Sequence, residues 1–488
     1  MKKNLFMVAA VALMAMVSCN KEEVNQSGPE VAPEPSYYVE FTAQIDNEET
    51  PAPSPAQAQT QTRTAYDKTN NTTKWIDGDL ISVNGKKFRI KELAADGLSA
   101  TFINAEELGE DFGAPFTAIY PYNATEGSAV VPSTQTVTDG TFADESVVTV
   151  AYSAENNTLS FKHVTSVVKF QVATEGVSEL TFSSSVALAG TISVNANEGG
   201  EPTYEATAGS KTITVKPASG TFSVGETYYV SVLPTVGEAG TKVDFAIKTE
   251  GVTVKSGNVN FKRNIVMDAK TIEVKYVRLS PSSCWLYGGT RFAVNMFNAS
   301  YNEWHDLKGS GKGYYQCVVP EHLLDATVIF CRMNPNTTEN NWTNRWNQTA
   351  DLTMPTAANN CYRINENSWD SGKWSNISYK TLYLKPNSNW LQSKPKFAAY
   401  FYSGSNNEWV TMMDSDKDGY YECLNTSSYG TVIFVRLDAD ESDDSGHEEY
   451  NTWDAKWNQT GNLTVPTNSN NLYTINSGSW DAGKWSVK

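Results

Sequence analysis

The chain has 488 residues, of which 40% are hydrophobic and 11% aromatic, so it can form packed cores and is unlike a disordered chain. At about 100–200 residues per domain, its length predicts three to four domains. The formal net charge of −17 argues against nucleic acid as a partner, because neutralising phosphates needs clustered Lys and Arg. Only four His and no Cys-x-x-Cys argue against a zinc site, and we expect neither a metal nor a cofactor.

Residues 1–18 have the features of a signal peptide. Lys2 and Lys3 precede an apolar run from Leu5 to Val17, which is too short to span a membrane, since that takes ~20 apolar residues. Cys19 directly follows a small residue, and this arrangement resembles the lipobox of bacterial lipoproteins. The resemblance implies that Cys19 is lipidated and anchors the protein to a membrane. An ordinary signal peptide with an unrelated Cys is the alternative.

The next segment, residues 19–36, is polar, acidic and contains Pro, so we predict a flexible tether. Its first residues, Asn20–Glu23, resemble the surface-export signal of Bacteroidetes lipoproteins, which implies a lipid-anchored protein at the cell surface, on the outer membrane. In residues 37–274, alternating apolar and polar residues predict short strands, for example Tyr37–Ala43 and Phe161–Val172. Turn dipeptides with Gly separate them. Many short strands without an evident amphipathic helix predict an all-β fold of sandwich or barrel lobes.

Residues 37–274 also contain short motifs in a defined order. In chain order they are Thr62-Arg63-Thr64, Trp75–Asp79, Ala118–Tyr122, Phe161–Val164, Leu188–Thr191 and Tyr228–Pro234. Together they resemble the fimbrillin-like family of Bacteroidetes. The resemblance implies two successive β-sandwich lobes in a protein that builds pili by strand donation, or serves as a pilus anchor or tip. The additional C-terminal sequence favours an anchor or tip over a shaft subunit.

From about residue 276 the sequence repeats itself. The segments Trp346–Ser375 and Trp457–Ser486 agree at 20 of 30 positions without a gap. A period of about 105 residues is too long for a solenoid repeat, and each copy is long enough to be a small domain. We therefore predict two tandem β-sandwich modules, residues 276–376 and 381–488, with a duplicated function.

One predicted strand in each module has an apolar face that points to the core and an outward face that carries aromatic or amide side chains. In the second module, Phe397, Ala399 and Phe401 share the core face, and Tyr400 and Tyr402 lie on the other. The matching residues of the first module are Phe292, Val294 and Met296 on the core face, and Asn295 and Phe297 on the outward face.

A Trp in a polar loop follows each of these strands, Trp304 in the first module and Trp409 in the second. Outward aromatics and a loop Trp predict a flat apolar platform, which suits a sugar ring, because its C–H face stacks on aromatics while polar groups bind its hydroxyls. For any single aromatic the alternative is core packing. We assign that role to Trp285, Trp346, Trp369 and Trp374 and to their partners in the second copy.

Further positions match between the two copies. Trp285 aligns with Trp390 and Val328–Phe330 aligns with Val432–Phe434, and an Asn-Gln-Thr segment begins at Asn347 in the first copy and at Asn458 in the second. These pieces resemble the starch-binding modules of carbohydrate-binding families 25 and 26. The resemblance implies that aromatics stack on α-linked glucose and that a Gln bonds its hydroxyls. The implied ligand-binding residues are Tyr400, Tyr402, Trp409 and Gln459 in the second module, and Phe297, Trp304 and Gln348 in the first.

Two features modify this expectation. Asn295 stands where the first Tyr of the aromatic pair would be, so the first site is expected to be weaker. Long insertions precede the Asn-Gln-Thr segments, and in the second copy Asp438–Glu449 is acidic; these loops could cover or reshape the sites.

The segment Asp414–Gly419 resembles the start of a calcium-binding loop, with acids at alternate positions followed by Gly. The twelfth position would be Asn425 rather than Glu, and the first copy lacks these carboxylates. A hairpin turn is the simpler interpretation, and calcium binding stays an open alternative.

We find no Gly-x-Ser-x-Gly elbow and no His beside a candidate nucleophile, so we predict a protein that is not an enzyme. The leading hypothesis is a cell-surface lipoprotein that binds α-glucan, a starch-like polysaccharide, through two modules and works with glycan-uptake proteins. The alternative is a fimbrial or adhesin component, an anchor or tip, that binds host glycan or protein and assembles with pilin-like chains. Sandwiches without a ligand are a third possibility if the loop Trp residues are buried.

Overall fold

The computed structural model describes residues 35, 37–46, 65–67, 72–198, 200–235, 241–357, 360–377, 380–425, 429–441 and 446–488. In this part of the chain the regular structure is β except for one four-residue helix and one 3₁₀ turn, so the all-β prediction is confirmed. Among the described residues, no helix has the length and apolar character needed to cross a membrane. The predicted signal peptide, Cys19 and Thr62-Arg63-Thr64 lie outside the described residues, as does the tether apart from residue 35.

The first lobe is built around a closed barrel. The strands up to residue 163 are β1 (Glu40–Ile45), β2 (Ala65–Asp67), β3 (Thr72–Lys74), β4 (Leu80–Val83), β5 (Lys86–Leu93), β6 (Ser99–Asn104), β7 (Phe116–Tyr120), β8 (Ser128–Val131), β9 (Thr134–Val137), β10 (Thr149–Ser153) and β11 (Thr158–His163). Seven of them form the barrel in the order β1-β11-β10-β7-β4-β5-β6. Strand β1 closes it by pairing in parallel with β11 and antiparallel with β6.

Closure distinguishes this lobe from the open sandwich implied by the fimbrillin-like motifs. A closed sheet has no exposed edge, and its inward side chains must fill the interior. Here aromatics fill it: Trp75 lies edge-on to Phe102, Tyr120 and Phe161, with ring centroids 5.1, 5.4 and 5.2 Å apart. The motif that contains Trp75 therefore has a core role.

The second lobe has three sheets around one core. Its strands are β8 and β9 with β12 (Ser166–Val172), β13 (Leu180–Ser184), β14 (Ala189–Asn195), β15 (Thr203–Ser210), β16 (Thr212–Pro217), β17 (Thr227–Val232), β18 (Val243–Thr249), β19 (Val252–Val259) and β20 (Val266–Ile272). The sheets run β17-β12-β20, β19-β18-β13-β16-β9 and β15-β14-β8. Because β8 and β9 lie between barrel strands in the sequence, the chain passes into the second lobe and returns, which ties the lobes together.

Each C-terminal module is a sandwich of two sheets. The elements of the first are β21 (Tyr276–Ser280), α1 (Ser283–Leu286), β22 (Arg291–Phe297), β23 (Asn302–Asp306), β24 (Lys308–Gly309), β25 (Tyr315–Val318), a 3₁₀ turn (Glu321–Leu323), β26 (Thr327–Met333), β27 (Arg345–Gln348), β28 (Leu352–Thr353), β29 (Asn360–Ile364) and β30 (Gly372–Asn376). One sheet runs β24-β25-β21-β29-β30, and the other runs β23-β22-β26-β27 with β28 beside β26.

The second module repeats this plan. Its strands are β31 (Thr381–Lys385), β32 (Lys396–Ser403), β33 (Asn406–Met412), β34 (Tyr421–Leu424), β35 (Thr431–Leu437), β36 (Lys456–Gln459), β37 (Leu463–Thr464), β38 (Leu472–Ile475) and β39 (Gly483–Ser486). The sheets run β34-β31-β38-β39 and β33-β32-β35-β36, with β37 beside β35. As predicted from the alternation, Phe397, Ala399 and Phe401 are buried between the two sheets.

The first module contacts both the second lobe and the second module. Tyr276 and Val318 of the first module pack in the core of the second lobe. Between the modules, the guanidinium of Arg363 forms an ion pair with Glu408 at 2.6 Å, and the Arg363 side chain is almost fully buried. The sheet face of the first module that carries Arg363 is therefore covered by the second module.

A buried His lies where the two N-terminal lobes meet. Burial, followed by the positive charge of Arg263, lowers the pKa of His163 from 6.5 to about 4. The backbone carbonyl of His163 accepts a hydrogen bond from Arg263 Nη1 at 2.9 Å. The folded state therefore holds this imidazole neutral, while the unfolded chain protonates it at its ordinary pKa.

We predict that the stability of the N-terminal lobes falls as the pH drops from 6.5 to about 4, because only the unfolded state gains a proton at His163 in this range. The loss amounts to roughly 3 kcal/mol at the lower end. Denaturant unfolding of the wild type and of His163→Gln across this range measures the loss. The free energy of unfolding should fall less steeply with decreasing pH in the variant than in the wild type. Equal slopes would contradict the assignment.

Candidate functional site

The outward face of the second sheet in module 2 carries a cluster of aromatic rings. Tyr400 and Tyr402 project from β32 and Trp409 from β33, on the side opposite the inter-sheet core. Beneath them lies a layer of small and aliphatic residues, Ala398, Ile433, Val435, Leu437 and Ala455. The three aromatics are only partly buried, so this face is accessible.

The loop before β36 supplies a further ring that the sequence analysis missed. Trp453 lies 4.8 Å from Tyr400 and 4.7 Å from Trp409 between ring centroids, and it is 39% exposed. The insertion in this copy therefore adds to the aromatic cluster. Because Trp342 precedes Trp346 by the same four residues as Trp453 precedes Trp457, extending the gapless repeat upstream would have found both.

The rings do not form the flat platform that the sequence suggested. Tyr400 is inclined by 63° to Trp409 and by 66° to Trp453, and the two Trp planes differ by 57°. Tyr402 is more nearly aligned with Tyr400, at 35° and 6.0 Å. The reason is packing: side chains from two strands and a loop meet edge to face, the geometry that aromatic quadrupoles favour. The surface is bent, with differently oriented faces.

A cation and an amide border this cluster. Lys456 Nζ lies 5.5 Å from the centre of the Trp453 ring and donates a hydrogen bond of 3.0 Å to Gln459 Oε1. Because Oε1 is engaged, Gln459 has its Nε2 group to donate to a ligand. Gln459 is fixed by the pairing of β36 with Val435 of β35.

The first module repeats the arrangement with other side chains. Trp304 and Trp342 are 4.7 Å apart, and Arg345 lies 5.5 Å over Trp342 and donates to Gln348 Oε1. Phe297 and Trp304 pack on the outward layer of this module. Both copies thus bring together two Trp, a cation and a Gln.

At the place of Tyr400 the first module has Asn295. Its side chain is fully buried, and its Nδ2 donates to Asn302 Oδ1 at 2.8 Å and to the Glu303 carbonyl at 3.2 Å. It therefore positions strand β23 and offers no ring. The first aromatic surface is smaller than the second.

The core assignment of four Trp positions needs correction at two of them. Trp285 and its partner Trp390 are fully buried, and Trp374 packs against the core, as expected. Trp346 and Trp457, by contrast, are 46% and 38% exposed. They lie beside an irregularity in the strand register, which turns them out of the core onto a buried Arg.

Trp369 and its partner Trp480 also depart from a simple core role. Trp369 is partly exposed and packs on the core of its module, whereas Trp480 is 45% exposed. In both copies the backbone carbonyl of this Trp accepts the indole N–H of the buried Trp, at 2.8 Å from Trp285 and 2.9 Å from Trp390. The backbone at this position is therefore structural, although the ring of Trp480 is not buried.

The first module supports the aromatic cluster of the second through one carboxylate. Glu366 Oε1 accepts hydrogen bonds from the Ser283 backbone N–H at 2.8 Å, the Thr411 hydroxyl at 2.8 Å and Asn451 Nδ2 at 3.2 Å. Its Oε2 accepts the Thr411 backbone N–H at 3.0 Å. Thr411 and Asn451 each lie two residues from a ring of the cluster, Trp409 and Trp453.

Comparisons with known proteins find no matching protein-family model and no matching curated protein. Solved structures that match include a protein described as a cell adhesion protein of Bacteroides ovatus, 15% identical over 47% of this chain and 91% of that chain, with a TM-score of 0.26. A fimbrial assembly protein of Parabacteroides distasonis is 9% identical over 58% of this chain and all of its own, with a TM-score of 0.22.

We predict that Glu366→Ala destabilises the C-terminal modules by roughly 1–3 kcal/mol, because buried donors at Ser283, Thr411 and Asn451 lose their acceptor. Thermal unfolding of the full-length protein measures the change. Asp370→Asn, at an exposed position nearby, is the control and should leave the temperature of the unfolding transition unchanged. An unchanged transition in Glu366→Ala would show that the junction does not depend on this carboxylate.

Proposed function

We propose that this protein is a non-catalytic cell-surface protein whose two C-terminal modules bind a neutral polysaccharide, with α-glucan as the favoured ligand. The observation that carries the proposal is the duplicated surface: two Trp, a cation and a Gln occur together on the outward face of both modules.

The chemistry of this surface matches that of a sugar ring. Partly exposed Trp409 and Trp453 offer apolar faces for the C–H surface of a pyranose. The Gln459 amide and the Lys456 ammonium lie at the border of the cluster and can donate to hydroxyl oxygens. An aromatic surface with a few placed polar groups is typical of a ligand site.

The inclination of the rings favours a bent chain over a straight one. Successive sugars of an α-1,4-linked glucan turn relative to each other, so a contacting surface must present faces in more than one direction. The 57–66° angles among Tyr400, Trp409 and Trp453 provide this. A flat, ribbon-like glycan would instead need coplanar rings.

Two linked sites increase the apparent affinity for a polymer. When one module binds, the second meets the same chain at a high local concentration, which can add ~10²–10⁴ in avidity. Because the ligand is neutral, binding should depend little on salt. The predicted lipid anchor at Cys19 would hold these modules at the outer membrane, where glycan-uptake proteins can receive the ligand.

We predict that replacing both Trp304 and Trp409 by Ala abolishes retention on starch, because each module loses a stacking surface and the avidity is lost. Each Trp should contribute roughly 1 kcal/mol, which is about a fivefold change in Kd. Trp409→Ala alone should weaken binding more than Trp304→Ala, since the first module has Asn295 where the second has Tyr400. Native gels that contain starch, dextran or no glycan measure retention.

The matched control for this experiment is Trp346→Ala with Trp457→Ala. These two Trp are also exposed and duplicated, but they stack on buried Arg residues outside the cluster. Retention should persist in this control. Retention that survives the loss of Trp304 and Trp409 would refute the assigned sites.

A second candidate is a fimbrial or adhesin component that acts as an anchor or tip. The observation that favours it is the fimbrillin-like series of motifs, together with two N-terminal lobes that have separate cores and carry no part of the aromatic surface. The matched structures of Bacteroides and Parabacteroides are described as cell adhesion and fimbrial proteins, and this candidate agrees with those descriptions better than α-glucan binding does.

We predict for this candidate that the protein co-purifies with other pilin-like chains when the surface fraction is extracted from cells. Crosslinking before extraction, followed by mass spectrometry of the crosslinked species, identifies such partners. Recovery of monomers only would count against it. Failure to bind any glycan in the gels, together with crosslinked pilin-like partners, would favour it over polysaccharide binding.

A further inference from the structure

The turn between β33 and β34 brings three carboxylates together. One carboxylate oxygen from each of Asp414, Asp416 and Glu422 lies within 4.8 Å of the other two. Asp414 and Asp416 belong to the turn itself, and Glu422 projects back towards it from β34. Among the residues of the aromatic surface, Trp409 of β33 is the one nearest to this cluster in sequence.

Glu422 is the unusual member because its side chain is completely buried. Its Oε1 accepts hydrogen bonds from the Ser415 backbone N–H at 3.0 Å and from the Ser415 hydroxyl. Its Oε2 is also buried and has no hydrogen-bond partner among the described residues. A buried carboxylate oxygen without a partner is unfavourable, and a cation beside this atom would compensate it.

The surrounding protein does not supply that positive charge. No ion pair in the described part of the chain involves Asp414, Asp416 or Glu422, and the neighbouring Lys488 pairs with Asp418 instead, at 2.6 Å.

The turn is also held in shape by its own backbone. Asp414 Oδ1 accepts the Asp418 N–H at 2.9 Å, and Oδ2 accepts the Gly419 N–H at 3.1 Å. Gly419 has φ of +82°, a conformation that favours glycine. The Asp414 carboxylate is therefore held in a fixed orientation.

The cluster lies at the junction of the two modules. A Cβ at Gly311 of the first module would lie 2.3 Å from Asp416 Oδ2, so the Asp416 side chain lies directly against the turn of the first module. The Gly311 N–H also donates to the Ser415 hydroxyl at 3.0 Å. The equivalent turn of the first module, Lys308–Gly313, has no carboxylate, so the arrangement occurs once.

We propose that Asp414, Asp416 and Glu422 bind a calcium ion at the junction between the two C-terminal modules. Three carboxylates form an all-oxygen ligand set, which suits a hard divalent cation. Calcium accepts irregular carboxylate sets at buried positions, whereas magnesium demands an octahedron and retains most of its waters. The ion compensates the charge of Glu422 and stiffens the turn against the first module.

The test is a calcium titration of the full-length protein after treatment with a chelator. Calorimetry should detect one calcium ion per chain, with a Kd of about 10⁻⁴–10⁻³ M as in other extracellular modules. Calcium should raise the Tm of the C-terminal modules by several degrees, and magnesium at equal ionic strength should do so much less. Absence of bound calcium in the wild type would overturn the proposal.

Two variants assign the site, and one serves as a control. Glu422→Gln keeps the shape but not the charge, and Asp416→Asn makes the same kind of change at an exposed side chain. Each should weaken calcium binding at least about tenfold and remove most of the Tm increase. Asp351→Asn makes the same charge change at an exposed position of the first module. It should retain both calcium binding and the calcium-dependent increase in Tm. Unaltered calcium binding in Asp416→Asn would place the ion elsewhere and refute this site.

Discussion

The buried guanidinium of Arg436 joins the interior of the second module to the strand that borders its aromatic cluster. Its Nε donates to the Trp390 carbonyl at 2.8 Å, and the ring of Trp457 stacks over it at 4.2 Å. Arg436 pairs with Asn458 across the sheet, so this anchor also sets the register of β36, the strand that carries Gln459. The interior of the module thereby determines where the polar border of the aromatic cluster lies.

The duplication within the chain separates structural positions from binding positions. Core positions change between the copies while staying buried, as Cys331 does where the second copy has Val435. The Arg anchor recurs unchanged, because Arg332 Nε donates to the Trp285 carbonyl at 3.0 Å. On the outward face, which lies outside the core between the two sheets, both copies still present two Trp, a cation and a Gln. The recurrence of the cation and the Gln beside the two Trp is what the proposed shared ligand would account for.

The alternation of apolar residues was sufficient to predict which side chains of β32 face the core, because neighbouring residues of a strand point to opposite sides. It could not place Trp453, which comes from a loop where no period applies, nor Trp346, which a register irregularity turns outward. Closure of the first barrel was equally beyond the local pattern. It depends on β1 pairing with strands some sixty and more than a hundred residues away, Ser99–Asn104 and Thr158–His163.

The junction between the modules sets how two linked sites can act. A flexible linker would let each module search independently, and its length would determine the effective concentration. Here the Arg363–Glu408 ion pair and the three hydrogen bonds that Glu366 accepts from Thr411 and Asn451 fix one module against the other. Both sites can then bind one chain only if its sugars lie at the separation that the fold imposes. If both modules bind glycan as proposed, a rigid pair would select long polymers of suitable curvature, and short oligosaccharides, which reach one site only, would bind without the gain from avidity.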